Sequence, residues 1–294
     1  MSVTRCGCID VGSNTTALLV ADVSEGEIAP VGTRRVFTML GDESGPTGIS
    51  HEKIAEVVIA VEELLEYVEQ LDCKRIELVA THVVREAHNA HELEEKVFEA
   101  TGRRLEVIDG HQEARFSFIG AVGGLHRVRG TTVVIDAGGG STEVSHCAPG
   151  SDPVTASFAI GSATLTNRFI ASDPPLPGEI NRAREHADRA FDELALPESC
   201  ALALAVGGGA STARQLTGGV LDSAGIARVL ALTTSMASSD LAAKFGIAEN
   251  RARILPASLA ILESLVERLG FGLEVGRGGL REGVLIDRYG GPPL

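Results

Sequence analysis

Two stretches of this 294-residue chain carry the same residue types at the same spacing. Asp10-x-Gly12-x-x-Thr15-Thr16 and Asp136-x-Gly138-x-x-Ser141-Thr142 lie 126 positions apart (10 to 136), each after a run of β-branched residues. A turn of small residues between two strands presents several backbone N–H groups outward. Such a nest takes anionic oxygens at close range because no side chain intervenes. Thr15, Thr16, Ser141 and Thr142 add hydroxyl donors. Asp10 and Asp136, each closing the preceding strand, are placed to hold Mg²⁺ directly or through water. A third glycine cluster, "VGGGAS" at 206–211, follows another apolar run. One glycine turn is ordinarily only a turn. Two matched loops and a third cluster point to phosphate binding, with a purely structural duplication as the plain alternative.

The elements needed to position these loops are written around them. Residues 5–11 and 17–23 read as strands joined at Gly12-Ser13-Asn14. Ser50 caps an amphipathic helix with apolar positions 54, 57, 58, 61, 64, 65 and 68. "RIELVAT" reads as a strand, a polar helix runs to Ala100 and closes at Gly102, "RLEVID" is a strand, and 113–122 is helical. The second half starts over with the hairpin "TTVVIDAG"/"STEVSHC" and the strand "VTASFAIG". A helix at 177–194, the strand "ALALAV", a long helix "RILPASLAILESLVERLG", a short strand "GLEVG" and a last helix "GLREGVLIDRYG" follow. Each half gives strands first and alternating helix and strand afterwards, which predicts two α/β domains with mixed sheets. The seam falls at 122–130. The domains are therefore 1–125 and 126–294, with the last helix free to pack back on the first. An internal duplication is the economical account of the repeated phrase.

Composition narrows the functional classes. Aromatic residues make up 4% of the chain and there is no Trp, which argues against base-stacking or sugar-platform surfaces. The net charge of −14 excludes a general polyanion-binding surface, so no nucleic-acid partner is expected. The acidic excess is uneven: 11 basic against 22 acidic residues up to Leu125, and 15 against 18 after it, giving −11 and −3. Solvated helix faces at 52–72 and 92–99 account for it. Five cysteines without a C-x-x-C pair suggest reduced thiols and a cytoplasmic location. No apolar run reaches the roughly 20 residues that span a bilayer, and the N-terminus lacks a signal-peptide core, so no membrane partner is expected. His82, His88 and His91 are close in sequence but have no cysteine or carboxylate to complete a zinc set. A solvated polar helix is the better reading.

Taken in order, "IDVGSNTTALLV", "ATHVVREAHNA", "IDGHQEARFSFIGA", "VVIDAGGGSTEVS", "SFAIGSATLT", "AVGGGASTARQL" and "GGLREGVL" resemble the exopolyphosphatase / guanosine pentaphosphate phosphohydrolase family over essentially the whole chain. The chain resembles the short form of that family, without the helical C-terminal extension. The resemblance implies two actin-like (ribonuclease H-like) domains of the sugar kinase / heat-shock ATPase / actin superfamily, with an interdomain cleft. It puts the family's essential glutamate on Glu113 as activator of the attacking water, and a phosphate-clamping arginine on Arg85. Asp136 and Glu143, with Asp10, match the metal-holding carboxylates, for Mg²⁺ with Mn²⁺ as the alternative. Gly12, Ser13, Asn14, Thr15, Gly138, Gly139, Gly140, Ser141, Thr142, Gly208 and Gly209 match phosphate contacts. The implied activity is exopolyphosphatase, with guanosine pentaphosphate 5′-phosphohydrolase and a non-catalytic polyphosphate or alarmone sensor as alternatives. A homodimer is implied by resemblance alone. Taken singly, Glu113 reads as a helix-dipole partner and Arg85 as a surface ion pair. The chain departs from the family pattern at Ala17, where a basic residue is common, at His82, where a small hydroxyl is common, near Thr164, and in the looser "GGGAST".

Overall fold

In the computed structural model, β1 (Thr4–Val11) and β2 (Thr16–Ser24) form the antiparallel pair that brackets the first repeated phrase. Residues 3–42, 48–123, 125 and 130–290 are described. β3 (Glu27–Val36) pairs antiparallel with β2 and forms one edge of the sheet. The residue pattern gives no signal for this strand. Its side chains are mostly exposed and Pro30 interrupts it, both features of an edge strand that has no core-facing alternation to display. β4 (Arg75–Ala80) joins β1 in parallel, and β5, reduced to Glu106–Val107, closes the order β3-β2-β1-β4-β5.

α1 (His51–Gln70) buries Ile54, Val57, Val61, Leu64 and Val68, the i, i+3, i+4 stripe expected from the sequence. The Ser50 side chain accepts from the Lys53 N–H at 3.3 Å, the anticipated cap. α1, the one-turn α2 (His82–Arg85) and α3 (Ala90–Thr101) pack on the face carrying Ile9, Val11, Leu18 and Val20. Gly102 ends α3 at φ +67°, the left-handed closure predicted for it. α4 (Gly110–Val122) contributes Phe116 to the other face, against Cys6, Cys8, Leu19 and Ala21.

The second sheet repeats the first. β6 (Thr132–Ala137), β7 (Thr142–Cys147) and β8 (Val154–Phe158) form the meander. After α5 (Ser162–Phe169) and α6 (Pro177–Ala190), β9 (Leu202–Val206) pairs in parallel with β6. α7 (Gly207–Thr217), α8 (Ser223–Ser235), α9 (Ser238–Phe245) and α10 (Glu249–Leu269) precede β10 (Glu274–Val275), which gives the order β8-β7-β6-β9-β10. Strand order and strand directions match the first sheet position for position. α10 is buried along most of its length and Pro256 lies inside it. Pro175 and Pro177 introduce α6, whose first residue is Pro177.

The last helix, α11 (Leu280–Tyr289), returns to the first sheet. The chain divides into unit 1, Met1–His126 with Gly278–Leu294, and unit 2, Arg127–Arg277. Of the seam expected at 122–130, residues 124 and 126–129 lie outside the described residues. α11 meets α4 backbone to backbone. A Cβ on Gly120 would sit 1.9 Å from the Gly279 carbonyl oxygen, and one on Gly283 would sit 1.7 Å from the Phe116 carbonyl oxygen. Arg288 and Tyr289 both hold Glu77, and Arg288 also holds Glu106, which pins the far end of α11 to β4 and β5.

Candidate active site

In unit 1 the Gly12 N–H donates to the Thr15 carbonyl at 3.0 Å; in unit 2 the Gly138 N–H donates to the Ser141 carbonyl at 2.9 Å. The repeated phrase thus folds into the same turn twice. Each turn is also tied from behind by the segment that follows the third strand. Gly41 N–H bonds the Ser13 carbonyl (2.7 Å) and Met39 N–H the Asn14 carbonyl (3.2 Å). The N-terminus of α5 does the same in unit 2: Ser162 N–H bonds the Gly138 carbonyl (2.9 Å), and Ala163 N–H the Gly139 carbonyl (2.9 Å). With the loop carbonyls pulled back, the N–H groups of Gly139 and Gly140 are left without a backbone acceptor among the described residues. The buried side-chain oxygen of Asn14 also has no hydrogen-bond partner among them, but as an acceptor it suits a donor or a cation and not a phosphate oxygen. Unpaired N–H groups such as those of Gly139 and Gly140 are what an anion site requires before its ligand arrives.

Gly161, which the sequence reading places at a strand end, is fixed by this docking. An added Cβ there would come within 2.3 Å of the Gly139 backbone. The "AIGS" signal was present in the sequence, but only the fold shows that it braces a loop more than 20 positions earlier.

Glu113 lies in the first turn of α4, behind an Asp109–Gln112 capping box in which the Asp109 carboxylate accepts the Gln112 N–H at 2.8 Å. The helix begins at Gly110, three residues before the 113–122 stretch read from sequence, because that cap supplies its start. Arg85, at the end of α2, donates from Nη1 to Glu113 Oε2 at 3.1 Å and to the Ile108 carbonyl at 2.8 Å. Both side chains are largely buried. One nitrogen of the guanidinium anchors it; Nε and Nη2 donate to nothing among the described residues and can clamp an anion. His82, on the same short helix, is held below its ordinary pKa by burial and then by Arg85, so it is neutral at pH 7.

In unit 2, Asp136 on β6 is directly opposite Glu143 on β7. Directly opposed residues of an antiparallel pair share a face, and two like charges there repel. Glu143 is buried, and Ser157, opposite it on β8, donates to its Oε1 at 2.8 Å. Asp136 is crowded from the other side by Gly207, whose φ of +91° and missing Cβ make room for its Oδ1: an added Cβ would lie 2.8 Å away. An opposed carboxylate pair with a cradle that only glycine leaves open suits a divalent cation. Among the described residues there is no set of three or more metal-ligating side chains, so water and phosphate oxygens would complete the shell, as Mg²⁺ prefers. Asp10, in unit 1, has Ala17 opposite it instead.

The third glycine cluster begins α7. Gly208 lies under the Arg251 guanidinium, which donates to its carbonyl at 3.3 Å. Gly209 lies against Ser258, where a Cβ would be 1.7 Å from Oγ. Both glycines thus pack closely against α10. Arg251 and Ser157 are site neighbours that no short motif in the sequence announces.

The Ppx/GppA phosphatase family model matches residues 19–290. The chain belongs to that family. Among Ppx/GppA relatives, Exopolyphosphatase 2 of Mycobacterium tuberculosis is 36% identical over 196 residues, 63% of this chain, and the match spans 60% of that protein's length. Exopolyphosphatase 1 of the same organism is 26% identical over 303 residues, covering 96% of this chain and 87% of that protein. The solved Ppx/GppA family member of Aquifex aeolicus superposes with a TM-score of 0.81 at 27% identity, covering 98% of each chain. An exopolyphosphatase from Cytophaga hutchinsonii reaches a TM-score of 0.89 at 20% identity, a likeness of fold. The Ppx/GppA chain described here thus has the two-domain actin-like α/β fold, one five-stranded sheet per domain.

Proposed function

We propose that this chain is a phosphohydrolase that releases terminal orthophosphate from linear inorganic polyphosphate. The observation that carries the reading is the Arg85–Glu113 pair: a buried carboxylate at a helix start, oriented by a guanidinium that keeps donors for an anion. Exopolyphosphatase is also the name of the Mycobacterium tuberculosis relatives, one of which matches along nearly the whole chain.

Each unit carries groups suited to this chemistry. In unit 1, Glu113 takes a proton from water as the water oxygen attacks the terminal phosphorus. The bond from that phosphorus to the bridging oxygen breaks, and the bridging oxygen leaves on the shortened chain. Arg85 holds Glu113 in place and offers its remaining N–H groups to the charge that builds on the transferring phosphoryl group. The turn at Gly12–Thr15 offers N–H and hydroxyl donors to a phosphate. In unit 2, the turn at Gly138–Thr142 does the same, while Asp136 and Glu143 are the residues that would hold Mg²⁺. A cation there would supply neutralisation of phosphate charge.

The test is orthophosphate release, with Mg²⁺, from short polyphosphate, long polyphosphate, guanosine pentaphosphate and ATP side by side. Faster release from polyphosphate supports the proposal. Preference for guanosine pentaphosphate moves the substrate to the nucleotide, which presents the same terminal phosphoanhydride. Binding without release from any of the four supports a sensor.

A further inference from the structure

The two sheets allow the two copies of the site to be compared residue by residue. In unit 2 the row that crosses β6, β7 and β8 at the loop end is Asp136, Glu143, Ser157. In unit 1 the equivalent row across β1, β2 and β3 is Asp10, Ala17, Arg35. Directly opposed positions share a face, so each row lies on one side of its sheet. The formal charge of the row is −2 in unit 2 and zero in unit 1. The first suits a divalent cation. The second, with a cation at its outer end, does not need one.

We propose that Arg35 is an anion-binding residue of unit 1, reaching over Ala17 to a phosphate of the substrate held at the Gly12–Thr15 turn. The strand register and exposure support it. β3 runs in the same direction as β1, so Arg35 and Asp10 stand at the same end of the sheet as the turn. Two interstrand spacings put their Cα atoms about 10 Å apart, a gap that an arginine and an aspartate span together. Ala17 puts only a methyl group in that path, where the second copy has Glu143. Arg35 is also exposed and lies on the edge strand, so a ligand extending beyond the turn meets it without displacing core. Its neighbour Arg34 faces the other way, opposite the core residue Leu18 and stacked 4.1 Å from the centroid of Tyr67 on α1. The two adjacent arginines thus lie on opposite faces of β3, and Arg35 shares the face of Asp10.

This proposal rests on the polyphosphate reading for its substrate, but its test separates the two. Arg35→Gln, Arg35→Lys and Arg34→Gln are compared with wild type for kcat and KM on polyphosphate, and for thermal stability. In parallel, tripolyphosphate binding is measured by calorimetry in Glu113→Gln, with and without Arg35→Gln, so that no turnover is required. The expected result is a KM raised about tenfold by Arg35→Gln with kcat within about twofold, a smaller rise for Arg35→Lys, and no change for Arg34→Gln. Tripolyphosphate affinity falls by a similar factor in the double variant. Equal effects of Arg34→Gln and Arg35→Gln would overturn the proposal, since they would show only general charge. A fall in kcat or stability with KM and binding unchanged would also overturn it. Absent turnover with Arg35-dependent tripolyphosphate binding would keep the proposal and remove the polyphosphatase reading; absence of both would remove the two together.

Discussion

Arg85 Nη1 stands 3.1 Å from Glu113 Oε2 and 2.8 Å from the carbonyl oxygen of Ile108. The arginine therefore locks the carboxylate to the strand end that precedes α4. Arg85→Lys keeps the charge but gives up the planar fork, so it cannot hold Glu113 and an anion together. We expect it to lower kcat by about 10²-fold, the scale of losing one oriented donor to transition-state charge. Steady-state kinetics on polyphosphate checks this; a kcat within twofold of wild type contradicts the role given to Arg85.

Gly207 leaves room for Asp136. Gly207→Ala forces a Cβ to 2.8 Å from the Asp136 carboxylate and places a side chain at φ +91°. Divalent-cation affinity, measured by Mn²⁺ titration followed by EPR, is expected to fall about tenfold or more, as for loss of a ligand's supporting shell. Unchanged Mn²⁺ affinity would remove Asp136 from the metal site.

The backbone-to-backbone packing of α4 on α11 makes a stability prediction. In Gly283→Ala the new methyl meets the Phe116 carbonyl oxygen at 1.7 Å, so a helix must move. Overpacking of this kind costs about 1–3 kcal/mol, read from the midpoint of urea unfolding. Because α4 carries Glu113, kcat should fall as well. Full stability with full activity would show that the two helices separate without consequence.

Glu179 accepts the N–H groups of Leu176 (2.8 Å), Ala171 (3.0 Å) and Ser172 (3.1 Å), and the Ser172 hydroxyl (3.3 Å). The bond from Leu176 N–H is the main cause holding this carboxyl below its ordinary pKa, against the opposing effect of burial. A carboxyl with a depressed folded-state pKa stabilises the fold fully above its unfolded value, about 4.3 for Glu. That contribution is lost as pH falls through the lower folded value. Glu179→Gln should be less stable than wild type by about 1–3 kcal/mol at pH 7, and the gap should narrow below pH 4. A gap independent of pH would mean that the charge of Glu179 is not what organises the 171–176 segment.

Much of this arrangement is legible in the sequence because it is local. The turn phrase, the Ser50 cap, the Gly102 closure and the stripe on α1 each depend on residues within a few positions of one another. What the sequence hides is long-range. β3 carries no alternation because its edge position has no buried face to encode. α7 begins on three glycines, and the residues they pack against, Asp136, Arg251 and Ser258, come from elsewhere in the chain. The opposition of Asp136 to Glu143, and of Ala17 to Arg35, becomes visible only when strand register is known.

Glu113→Gln tests the central claim most directly. The variant keeps the size and the helix position while removing the proton acceptor. Orthophosphate release from polyphosphate is measured with Mg²⁺ for wild type and variant at saturating substrate. We predict release by the wild type and a loss of at least about 10²-fold in kcat for the variant, with tripolyphosphate binding retained. Release by the variant at the wild-type rate would contradict Glu113 as the group that activates water.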